Sequence, residues 1–140
     1  MNKLLKHIKW VMLLSGMITC SMIYAAINPQ AALFMTFGDS INGPIAEIIV
    51  RNWGVLITMV GGFLIYGAFN TQYQVMAILA AVISKVVFIS LVLTIGSSYL
   101  SVAAPALVFD SIMVFTFSLY LILLALKPSA RQKLSGFNPS

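Results

Sequence analysis

Four long apolar runs occupy most of this chain, and each is long enough to cross a bilayer as a helix. Crossing the hydrocarbon core takes about 20 helical residues, and the chain has 140 in all. Composition agrees: 61% of the residues are hydrophobic and 8% are charged, against roughly one-quarter charged in soluble domains. Within lipid, backbone amides must be satisfied by the protein itself, so such runs become helices. The sequence therefore predicts an all-α integral membrane protein with no separate soluble domain.

Proline sets most of the boundaries, because it interrupts a helix in progress but fits a first turn. "INPQ" follows the first run, "NGPI" precedes the second, "AAPA" opens the fourth and "LKPS" closes it. The remaining boundary is "FNTQYQ", residues 69–74, read as a short polar turn. Spans are expected at about 5–27, 45–69, 75–98 and 105–126. They form a four-helix bundle within one domain, 1–127, followed by a tail at 128–140. In the long connection 28–44, "AALFMTF" is too short to span and too apolar for a free loop. With Gly38 as a natural stop, a short outer interfacial helix is expected over 30–37.

The net charge of +5 is distributed in a way that speaks for a membrane. Lys3, Lys6 and Lys9 precede the first run, and Lys127, Arg131 and Lys133 follow the last. Basic flanks mark the cytoplasmic side. Both termini are then cytoplasmic, which needs an even number of crossings, and residues 28–44 face outward. No basic stripe with interleaved aromatics supports nucleic-acid binding. The first segment resembles a signal peptide, but "YAAIN" lacks a small-x-small cleavage site, so it reads as an uncleaved helix.

Small residues at helical spacing mark where helices approach closely in lipid. Glu47, Arg51, Gly54, Thr58, Gly61, Ile65 and Ala68 form one stripe on the second span. Gly16 and Cys20 offer a similar face on the first span, and Ala77 and Ala81 on the third. Trp10, Tyr24, Trp53, Tyr66, Tyr73 and Tyr99 fall near the span borders and read as an aromatic belt.

Glu47, Arg51, Lys85 and Asp110 lie within or beside the spans, and their charges cancel. Intramembrane charges usually face the bundle interior and find partners. With the last span starting at 105, Arg51 and Asp110 lie at matching depths and are expected to interact. Lys85 lies deeper, within direct or water-bridged reach of Asp110. For Glu47 and Arg51 the bland alternative is the headgroup layer; for Lys85 it is a packing lock without a ligand.

Other chemistry is poorly supplied. Cys20 is the single cysteine and His7 the single histidine, so no thiolate or imidazole cluster for a metal is expected. Ser84 and Lys85 are adjacent in a helix and point about 100° apart, which disfavours a serine–lysine nucleophile. No catalytic residue is assigned.

"RNWGVLITMVGGFLIYGAF" (51–69), "SKVVFISLVL" (84–93) and "FDSIMVFTFSLYLI" (109–122), in this order across four spans, resemble the DoxX-like group of small bacterial four-helix membrane proteins. Some members resemble subunits of quinone-linked redox enzymes, so the resemblance implies a quinone as a candidate cofactor. It carries over no catalytic residue. The leading expectation is an outward-facing polar pocket lined by Arg51, Lys85 and Asp110, with Asn52 and Trp53 contributing, which holds a quinone, an isoprenoid or a lipid headgroup. The alternative is a non-catalytic subunit whose small-residue faces dock a membrane protein partner or a second copy. A transporter or proton path would need more spans or oligomerisation.

Overall fold

The computed structural model describes residues 2–126; the expected tail at 128–140 lies outside them. Helix α1 spans Asn2–Cys20, α2 Ile23–Ile27, α3 Pro29–Phe37, α4 Pro44–Phe69, α5 Thr71–Thr94 and α6 Leu100–Ala125. A 3-10 turn, Ser97–Tyr99, leads into α6. Four stretches, His7–Ile27, Pro44–Phe69, Thr71–Thr94 and Ser97–Ala125, are long and apolar enough to cross a membrane. The protein is an all-α, four-helix bundle of multi-pass membrane type. Large apolar side chains such as Met35, Met76 and Phe115 cover its outer surface, as a lipid solvent allows.

Helix α3 fits the expected short helix closely. The Asn28 side chain accepts a hydrogen bond from the Ala31 amide, Pro29 occupies the first turn, and Gly38 ends the helix at a left-handed φ of 74°. Together with the connection to α4, α3 caps the end of the bundle where α5 finishes and α6 begins. At the opposite end, Lys9 lies 4.4 Å from the centre of the Phe69 ring, beside the α4–α5 turn.

Three boundaries differ from the sequence reading. The first span is two helices, α1 and α2, separated by a turn at Ser21–Met22. Here the amides of Met22, Tyr24 and Ala25 bond to carbonyls three residues back, a tightening that breaks the α-ladder. The polar turn 69–74 contracts to Asn70, whose side-chain and backbone amides both donate to the Tyr66 carbonyl. That end is satisfied in one residue, so Thr71 to Gln74 join α5. Lastly, Pro105 lies inside α6 rather than at its start. Proline lacks a donor only at its own nitrogen, and in lipid-buried helices the freed carbonyl is readily accommodated.

The small-residue stripe of α4 faces α1 and α2. A side-chain carbon on Gly61 would lie 2.8 Å from both the Cys20 amide nitrogen and the Gly16 carbonyl oxygen. One on Gly54 would meet the Ala26 amide at 2.8 Å. Next to Gly61, Gly62 faces open space. Backbone contact therefore follows one side of α4, which is the close approach that small residues permit. Farther along, Gly67 abuts Ala77 of α5.

Candidate functional site: a cavity beside a buried ion pair

Lys85 on α5 and Asp110 on α6 form a direct, hydrogen-bonded ion pair. Their side chains are 9% and 15% exposed. The observed helix ends explain the match. At ~1.5 Å per residue, Lys85 is about 14 Å from Thr94 and Asp110 about 15 Å from Leu100, so the two share a level. Phe109 lies beside the pair, its ring centre 5.5 Å from the Lys85 nitrogen.

The expected Arg51–Asp110 contact does not form. Starting the last span at 105 placed Asp110 too close to the capped end. From Leu100, its depth of about 15 Å exceeds the roughly 10 Å that separate Arg51 from Pro44. Arg51 instead donates from Nη1 to the carbonyls of Ala26 and Ile27, the latter at 3.2 Å. Its Nη2 lies 3.7 Å from Glu47 Oε2. A helix end leaves carbonyls unpaired, and the guanidinium satisfies two at the end of α2.

A cavity of about 340 Å³ adjoins the ion pair. Its walls come from all four spans and from Thr36 of α3. Trp53, Lys85 and Asp110 line it, whereas Arg51 and Asn52 do not and are exposed. Sequence reading gave Trp53 both to the interfacial belt and to the pocket; it lies about 14 Å along α4 from Pro44, on the cavity wall. Trp53 and Phe88 also line a second, mainly apolar cavity of about 470 Å³ toward the α3 end. The ring of Phe88 meets that of Phe37 at 6.4 Å, which ties this wall to α3.

Thr19, Phe88 and Phe109 belong to the cavity and were missed in the sequence. Phenylalanines in an apolar run carry no mark of which face they occupy. Thr19 carried a usable signal, since it stands one turn after Ser15 on α1. Both are buried, and neither hydroxyl has a hydrogen-bond partner among the described residues. Ser84 also lines the cavity, but the Lys85 amine beside it is committed to Asp110. No group of three or more His, Cys, Asp or Glu side chains that could hold a metal occurs among the described residues.

Comparison with known proteins finds no matching family model, curated protein or solved structure. The cavity walls are mostly apolar, with the ion pair and the hydroxyl residues Thr19, Ser21, Thr36 and Ser84 among them. That division suits a ligand with a small polar head and an apolar remainder.

Proposed function

We propose that this protein is a DoxX-like inner-membrane protein of bacteria that binds the polar head of a membrane-soluble molecule, a quinone, an isoprenoid or a lipid, beside Lys85 and Asp110. The observation that carries this reading is the cavity bordering the buried pair. A pair serving only to lock two helices needs no such space, and close packing would remove it. The basic flanks orient the chain with both termini in the cytoplasm, so the α3 end faces outward. The role is that of a binding protein or a redox-linked membrane subunit rather than an autonomous enzyme.

The alternative, docking of a partner protein through small-residue faces, has less to draw on. Gly16, Gly54, Gly61, Gly67 and Ala77 are used within the bundle. Mass spectrometry of lipid-soluble molecules retained by the purified protein tests the main reading. The double variant Lys85→Met/Asp110→Leu should keep the fold and lose the retained molecule. Equal retention by this variant would overturn the proposal.

A further inference from the structure

The proposed binding role leaves three ligand classes open, and the cavity separates them by charge. Lys85 is the cation at this site, and Asp110 neutralises it in direct contact. A phosphate monoester, with about −1.5 to −2 charges at pH 7, would have to leave water and compete with Asp110 for the same ammonium. Burying a charge without a free partner is strongly unfavourable. An uncharged head avoids that cost.

Thr19 also borders the cavity; the residue is buried (6% exposed), and its Oγ1 is enclosed and unpartnered among the described residues. Rotation about the Cα–Cβ bond would turn this hydroxyl toward the cavity, where a ligand oxygen can satisfy it.

The same cavity reaches the protein surface on one side. Ile18 and Ser21 of the first span and Pro105 of α6 line it and are also exposed. Contacts between α1 and α6 are sparse, whereas α1 packs along α4. The opening lies between two stretches that are long and apolar enough to cross a membrane.

Resting on the binding role above, we infer that the cavity takes an uncharged, oxygen-bearing head, held by Thr19 and the Lys85–Asp110 pair, with its apolar tail leaving between α1 and α6 into the bilayer. The matched probes are farnesol and farnesyl monophosphate, which share a tail and differ in head charge. Trp10→Phe leaves Trp53, on the cavity wall, as the single tryptophan and local reporter. In this full-length protein in detergent, farnesol should shift Trp53 emission and bind at least about tenfold more tightly than the monophosphate. Adding Thr19→Val should weaken farnesol about fivefold with no loss of melting temperature, since the hydroxyl has no bond to lose. Adding Asp110→Asn should uncover the ammonium and reverse the preference. If that variant does not fold, the two probes on the Trp10→Phe protein decide alone. Equal or tighter binding of the monophosphate there would overturn the neutral-head inference and leave the pocket standing. No response of Trp53 to either probe would overturn both.

Discussion

Helices α5 and α6 are tied together by two buried polar contacts, about three turns apart. Near the start of α5, the Tyr120 hydroxyl donates to Gln74 Oε1 at 2.8 Å, and Gln74 Nε2 reaches the Met12 sulfur at 3.5 Å. This contact is uncharged and enclosed by Ile78, Phe117 and their neighbours in the main apolar core. The second contact, Lys85–Asp110, is charged and borders open volume. A neutral hydrogen bond suffices to fix the register of two helices in lipid, at a modest net gain. The Gln74 contact meets that need. A charged pair costs more to bury, and here it stands where a ligand can reach it. The contrast is between a polar lock enclosed in the core and an ion pair that borders a cavity.

The largest effect should come from splitting the charged contact. Asp110→Leu leaves a buried ammonium and should lower stability by about 3–5 kcal/mol, while the double variant with Lys85→Met recovers most of it. A melting-temperature cycle in detergent reads both. Additive losses would mean that the pair is not coupled.

Tyr120→Phe should cost less, about 1–2 kcal/mol, because it strands one neutral amide oxygen. Farnesol affinity at Trp53 should not change. A loss of affinity would extend the site to the far end of the core and blur the contrast drawn above.

Arg51→Ala should have the smallest effect, about 0.5–1 kcal/mol, by releasing carbonyls at the end of α2 that water or headgroups can reach. It should also leave farnesol binding intact. Weakened binding would return Arg51 to the site where sequence reasoning had placed it.

Composition and the period of small residues determined the all-α membrane fold, the four spans, α3 with its Gly38 stop, and the glycine face of α4. Those features depend on local rules: apolar length, proline geometry and side-chain size along one helix. Lys85 was also legible, because a charge at that depth needs a partner whatever the fold. Its choice of Asp110 over a water bridge, and the exclusion of Arg51, depended on where α5 ends and α6 begins. A shift of five residues in a helix start moves a side chain by about 7.5 Å, more than the reach of an ion pair. Pro105 pointed to the wrong start because proline is tolerated inside a packed membrane helix. The cavity was decided by tertiary structure alone, since a void belongs to no single segment. It arises where α1 gives way to α2 at Ser21–Met22 and stands apart from α6, and only the packed bundle brings Thr19, Trp53 and the ion pair around it.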